Sequence, residues 1–159
     1  MTSGNKLSIT TPNDREIVMT RTFNAPRPLV FDCWTKPALL KRWMGAHAGW
    51  SFAVCDVDLR VGGSYRFVWR GPDGSEMGMG GTYLAIDAPA GFSSTEKFDQ
   101  AWYEGDASGR LSLVDMGPVT TSINTVTYAS KAVRDAVLAS PMESGISAGY
   151  DALDRVLLG

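Results

Sequence analysis

Ser140–Leu158, SPMESGISAGYDALDRVLL, is the segment from which the rest of the chain can be read. Ser140 and Glu143 have the Ser-x-x-Glu spacing of a capping box, and Pro141 falls at the first helical position, where a missing N–H costs nothing. A helix is predicted to start here. Met142, Ile146, Tyr150, Leu153 and Leu157 then recur every three or four residues and share one helix face. Glu143, Asp151, Asp154 and Arg155 fall mostly on the other, wet side. Two interior glycines, Gly145 and Gly149, sit one turn apart beside the apolar face, and each costs about 1 kcal/mol relative to Ala. Either another backbone packs closely against them, or the helix leaves hollow space above what it covers.

Upstream of this helix the pattern is mainly that of strands. Residues 1–14 are polar and aperiodic and are read as a flexible N-terminal tail that frays or pairs loosely at an edge; residues 15–159 are read as one domain. From Arg15 to Phe23, Ile17, Met19 and Phe23 alternate with Val18, Thr20 and Thr22, with Arg21 interrupting the apolar side. Pro28 can open a short helix carrying Val30, Phe31 and Trp34, which Pro37 stops. Leu39, Leu40, Trp43 and Met44 suit a second short helix ended by Gly45. Ala53, Cys55, Val57, Leu59 and Val61 form the dry side of the next predicted strand. Tyr65, Phe67 and Trp69 alternate with polar residues as far as the Gly71-Pro72-Asp73-Gly74 turn. The return strand, Glu76 to Ile86, contains Met77-Gly78-Met79-Gly80-Gly81, and such glycines mark a bend or a close approach. Phe92 to Phe98, Arg110 to Val114 and Val119 to Tyr128 are further strands, with Gly105 to Gly109 as a polar loop, and Ser130 to Ala139 is helical. One strand, two short helices, six more strands joined mainly by hairpins and a terminal helix make an α+β fold with helices on one side of an antiparallel sheet.

The composition narrows the function. The 159 residues include 15 basic and 17 acidic ones, with a pI near 5.3, and no polybasic run or long apolar segment. Nucleic acid and membrane are therefore not expected partners, and the cytoplasm is the expected location. Cys33 and Cys55 lack CxxC spacing and are read as buried free thiols.

Several motifs together carry a resemblance. They are Arg21-Thr22-Phe23-Asn24-Ala25-Pro26-Arg27-Pro28-Leu29-Val30-Phe31, Trp34-Thr35, Leu40-Lys41-Arg42-Trp43, Asp58-Leu59-Arg60-Val61-Gly62-Gly63, Arg70-Gly71-Pro72-Asp73-Gly74 and Gly81-Thr82-Tyr83-Leu84. In this order they resemble the START-like (SRPBCC) superfamily, in the branch named after the C-terminal domain of the activator of the heat-shock chaperone ATPase. The resemblance runs from about Arg15 to the end. It implies a helix-grip fold, in which a curved antiparallel sheet wraps around a long C-terminal helix, usually with a hydrophobic cavity between them. That implication favours hollow space beneath Gly145 and Gly149. The branch often has two adjacent tryptophans followed by Gly-Pro, whereas this chain has Trp43-Met44-Gly45-Ala46-His47, which implies a less aromatic cavity mouth.

No sharp catalytic motif is present: there is no phosphate loop, nucleophile elbow or carboxylate pair. His47 is the sole histidine, too few for a typical zinc site, and is the one weak acid–base candidate. Asp56, Asp58 and Arg60 share a strand side and are read as strand-end salt bridging. Arg66 and Glu96 are candidates for buried polarity that the pattern does not place. The stronger signal is an aromatic and methionine set able to line an apolar pocket: Trp34, Trp43, His47, Phe67, Trp69, Met77, Met79, Tyr83, Phe98, Met142, Ile146 and Tyr150. About half of these would serve only the core. The expected function is binding of a small hydrophobic or aromatic molecule without metal or cofactor, by a monomer or homodimer, with Tyr150, His47 or Trp69 orienting the ligand. The resemblance also implies two alternatives: chaperone ATPase co-regulation, and a cofactor-independent cyclase, dehydratase or hydrolase.

Overall fold

In the computed structural model, which describes residues 6–45, 48–100 and 102–158, the strands form a single eight-stranded sheet in the order β1-β2-β8-β7-β6-β5-β4-β3. β1 (Ser8–Thr10) and β2 (Glu16–Phe23) lie at one end, and β3 (Ser51–Val57), β4 (Ser64–Arg70) and β5 (Glu76–Asp87) at the other. β6 (Gly91–Phe98), β7 (Ala107–Met116) and β8 (Val119–Thr127) complete the sheet between them. All neighbouring strands are antiparallel. Between β2 and β3 the chain crosses from one end of the sheet to the other through α1 (Arg27–Thr35) and α2 (Pro37–Leu40). α3 (Lys131–Ala139) and α4 (Met142–Leu157) follow β8. This is the expected α+β helix-grip arrangement, with two short helices after the first long strand and a long helix at the C-terminus.

The alternation in β2 does what its pattern requires. Ile17, Met19, Arg21 and Phe23 point inward, and Arg21 stays on the buried row. β1 lies within the segment read as a tail and pairs at the sheet edge, in register with β2 from Ser8↔Thr20 to Thr10↔Val18.

One departure is in β3. A bulge between Phe52 and Val54 puts two residues against one and turns Phe52 onto the inner side, where its ring lies 5.6 Å from Phe67 and 5.1 Å from Trp69. The strand then ends at Val57, so Leu59 and Val61, expected on its dry side, are exposed, Val61 by 63%. Asp58 and Arg60 pair at 2.9 Å on the surface, the bland role expected of them. β7 begins at Ala107, inside the expected loop, because Ala107 to Gly109 pair with Glu96 to Ser94.

α4 is helical as expected, but its start is built differently. Ser140 does not cap it; the Ser140 hydroxyl donates to the Val137 carbonyl at the end of α3, 2.5 Å away. Only Ser140 and Pro141 separate the two helices, so the hydroxyl is committed to the first of them. Ser144 instead donates its hydroxyl back to the Pro141 carbonyl at 3.0 Å.

The apolar interior has two parts. One centres on Phe23, Val30, Trp34, Leu40 and Leu153; the other joins Ile17, Met19, Val126, Val133 and Val137 beneath α3. Ile146 of α4 touches both. Cys33 and Cys55 are free and buried, and burial pushes the Cys33 thiol up to about 11, away from reactivity.

Candidate functional site

Beneath α4 and on along the sheet lie two adjoining chambers of about 350 and 190 Å³, the larger walled by α4 and the smaller by Trp34 of α1, Met44 and the sheet. Trp34, Met44, Glu96, Asn124 and Val126 belong to the walls of both and mark their junction.

The larger chamber owes its space to the helix glycines. A Cβ placed on Gly145 would meet nothing within 4 Å, whereas one on Gly149 would meet the Trp43 carbonyl oxygen at 3.7 Å. Of the two readings of the paired glycines, open space holds at Gly145, while at Gly149 the Trp43 backbone lies at ordinary contact distance, with room for a Cβ. Trp34 and Trp43 form one wall, packed edge to face at 5.0 Å, and Tyr150 meets Trp34 at 5.8 Å. The Trp43 indole N–H donates to the Cys33 carbonyl at 2.8 Å, which holds the ring in place. Met142 and Ile146 close the helix side, and Phe98 lies on the sheet side. Trp102, 48% exposed and edge-on to Phe98 at 5.7 Å, forms a lip, so the opening is more aromatic than the missing second tryptophan implies.

The smaller chamber runs over the sheet. Phe67, Met79 and Tyr83 line it together with Tyr65 and Leu111, and Gly109 adds no side chain to its floor.

Two expected wall residues lie elsewhere. Trp69 is buried but spends its indole N–H on the Met44 carbonyl at 3.0 Å, bracing the segment after α2; it cannot orient a ligand. Met77 pairs across from Trp69 near the hairpin end, is 42% exposed, and reaches neither chamber. His47 lies outside the described residues. Arg66 points out of the sheet and pairs with Asp99 at 2.6 Å.

Glu96 is the wall residue with the most chemistry. The alternation of β6 contains its signal: Phe92, Ser94, Glu96 and Phe98 are spaced by two, so the strand that turns both phenylalanines inward must turn Glu96 inward as well. The Tyr103 hydroxyl donates to its Oε2 at 2.7 Å. Burial pushes the Glu96 carboxyl above its usual value of 4.5, and the Tyr103 hydrogen bond offsets this only in part. Glu96 lines both chambers. Tyr65, Tyr103 and Tyr128 are in turn held above the usual phenol value, first by burial and then by the nearby Glu96 charge. Tyr150 is raised to about 12 by burial, an effect opposed by its hydrogen bond to the Asn124 side chain. Asn124 and Glu96 thus put two polar groups into a wall that is otherwise mostly apolar, a usual make-up for a small-molecule site. Among the described residues no group of three His, Cys, Asp or Glu side chains converges on a point.

A raised carboxyl has a defined effect on stability. Glu96 contributes stability fully below its unfolded value and loses it as pH climbs through the raised folded value. Glu96→Gln carries no charge at any pH. Its melting temperature is expected to match the parent's at about pH 4 and to exceed it at about pH 8. A difference in melting temperature that does not change with pH would contradict this.

The profile of the Activator of Hsp90 ATPase homolog 1-like protein family matches residues 24–158. The chain belongs to this family. Solved structures extend the likeness over nearly the whole chain. A protein from Rhodobacter sphaeroides is 29% identical with a TM-score of 0.91, covering 96% of this chain and 98% of its own. Protein Ms6760 from Mycobacterium smegmatis is 23% identical with a TM-score of 0.83 and the same coverage. An HSP90 activator from Plasmodium falciparum shares the fold at 18% identity, with a TM-score of 0.64 over 91% of this chain and 96% of its own. No protein of curated function matches the chain. Among the described residues, no helix of this family member is long and apolar enough to cross a membrane.

Proposed function

We propose that this protein binds a small hydrophobic or aromatic molecule in the two-chambered cavity beneath α4 and along the sheet. The observation that carries the reading is the roughly 350 Å³ of space beneath Gly145, bounded by Trp34, Trp43 and Tyr150. Ligand pockets begin at about 300 Å³, and an apolar cavity of about 150 Å³ already takes benzene. Affinity would come from apolar burial at about 25 cal/mol per Å². Free, buried cysteines fit a reducing compartment such as the cytoplasm.

A thermal-shift panel of small aromatic compounds tests this. A compound at about 100 times its Kd adds about 2.7 kcal/mol to the folded state, a readily seen rise in melting temperature. Gly145→Leu should fold, fill the larger chamber and lose that rise. If no compound raises the parent's melting temperature, or if the rise survives in a folded Gly145→Leu, the reading fails.

The family's name and the Plasmodium falciparum neighbour favour a second reading, contact with a chaperone ATPase. Its test is whether the purified protein changes the chaperone's rate of ATP hydrolysis.

A further inference from the structure

We propose that Glu96 makes the cavity selective for organic cations, namely small aromatic or apolar bodies that carry a protonated or N-methylated amine. This rests on the cavity-binding reading above and adds the ligand's charge to it.

Among the described residues lining the two chambers, Glu96 is the only carboxylate, and no Lys or Arg joins it. It stands at their junction, within reach of a guest in either. Its Oε2 is engaged by Tyr103, while its Oε1 takes no hydrogen bond from the described residues. An acid in such a place is costly unless it finds a partner, and the described residues of the wall supply none with positive charge. A neutral apolar guest would remove what water the carboxyl keeps and give nothing in return. An anionic guest would be repelled. A cation supplies the missing counter-charge and a charge-assisted donor to Oε1.

The rings around the larger chamber point to the same class. Trp34, Trp43, Phe98, Trp102 and Tyr150 form much of its wall, and the faces of such rings attract a cation within about 6 Å. Aromatic walls plus one carboxylate are what a hydrophobic ammonium requires, the walls for its body and methyl groups and the carboxylate for its charge.

The test compares 2-phenylethylamine with 2-phenylethanol, a neutral molecule of nearly the same shape, by calorimetry on the intact protein. The amine is expected to bind at least about tenfold more tightly than the alcohol to the parent at neutral pH. In Glu96→Gln that preference should disappear, the amine losing its counter-charge and the alcohol no longer stripping water from a charged carboxyl. Tyr103→Phe, which keeps the carboxylate, should retain it. A check that needs no variant is the pH dependence of the preference in the parent, because the amine stays protonated between about pH 5 and about pH 8 while burial holds the Glu96 carboxyl above its usual value, so that its charge grows as pH rises. The ionisable groups facing Glu96 are Tyr65 from β4, Tyr103 from the β6–β7 connection and Tyr128 after β8, and all three stay neutral across that range. The preference should therefore grow with pH.

Equal binding of amine and alcohol by the parent, or a preference that does not change with pH, overturns the cation assignment and leaves the cavity reading standing. A preference that survives in Glu96→Gln removes Glu96 from the role. Failure of both probes to bind overturns the cation assignment and counts against the cavity reading as well.

Discussion

Asp154→Ala is expected to cost about 3–5 kcal/mol of folding stability, because it strands a buried guanidinium. Asp154 was expected on the wet side of the terminal helix, but it lies one turn beyond Tyr150 on the same face and is only 8% exposed. Its Oδ2 accepts a hydrogen bond from Nη2 of Arg21, itself 4% exposed in the middle of β2. Arg21 Nη1 reaches the exposed Asp151 at 2.9 Å, and the guanidinium lies 5.5 Å from the centre of the Phe23 ring. Among the described residues, Arg21 Nε and Asp154 Oδ1 find no hydrogen-bond partner, so the pair is imperfectly satisfied even when intact. Most of the loss in a single variant is therefore the desolvation cost of the survivor, not a contact energy. Two controls follow from that account. Asp151→Ala, which removes an exposed partner, should cost less than about 1 kcal/mol. The double variant Arg21→Met with Asp154→Leu should cost much less than the two single changes added together. Urea unfolding of the five variants, the two single changes included, reads all of this. A double variant as damaged as the sum of the singles would refute the stranded-charge account.

Gly81→Ala should be nearly as damaging, at about 3 kcal/mol, the upper part of the range for an overpacked site. Gly81 pairs with Tyr65 of β4 on one side. On the other side a Cβ would overlap the backbone carbonyl of Thr95 in β6, and backbone cannot yield as the tip of a flexible side chain can. The β5–β6 pairing skips between Gly80↔Lys97 and Tyr83↔Ser94, and the gap is bridged by the Thr82 N–H donating to the Thr95 hydroxyl oxygen at 2.9 Å. An added methyl would push the strands apart where they are already joined by a side chain. The contrast is Gly145→Ala, the same chemical change made over open space inside a helix, where a gain of about 1 kcal/mol is expected. Chemical unfolding of both variants should give opposite signs. Equal signs would mean that the space around these two glycines has been misjudged.

The legible parts of the fold were those written in local periodicity. β2 and β4 announced their buried faces by alternation, and Pro37 divided the short helices as its chemistry requires, whereas the second helix ends at Leu40 and only turns lead on to Gly45, where its end was expected. What stayed hidden depended on partners far away in the chain. The bulge at Phe52 follows from pairing with β4, so the dry side assigned to Leu59 and Val61 could not be corrected from β3 alone. Ser140 could cap one helix or close another, and only the tight α3–α4 junction decides which. Asp154 appeared solvent-facing because its partner sits in β2. Of the wall, the aromatic members announced themselves by type, whereas Glu96 needed the alternation of β6 to be taken literally through a charged residue. Trp69 and Met77 looked the same by type as Phe67 and Met79 and were separated from them by where the hairpin leaves the helices.

The placement of β2 bears on how the chain is made. Its partner is β8, with Glu16 opposite Thr127 and Phe23 opposite Thr120, so the earliest long strand waits for almost the latest. The β3-to-β8 meander can zip hairpin by hairpin as it leaves the ribosome, but β2, with only the three-residue β1 beside it, has no long strand to join until that meander is finished. Until then its inward row, with Ile17, Met19 and Phe23, is available to the wrong partner in a crowded cell, and the speed of translation past Thr127 limits how long that exposure lasts.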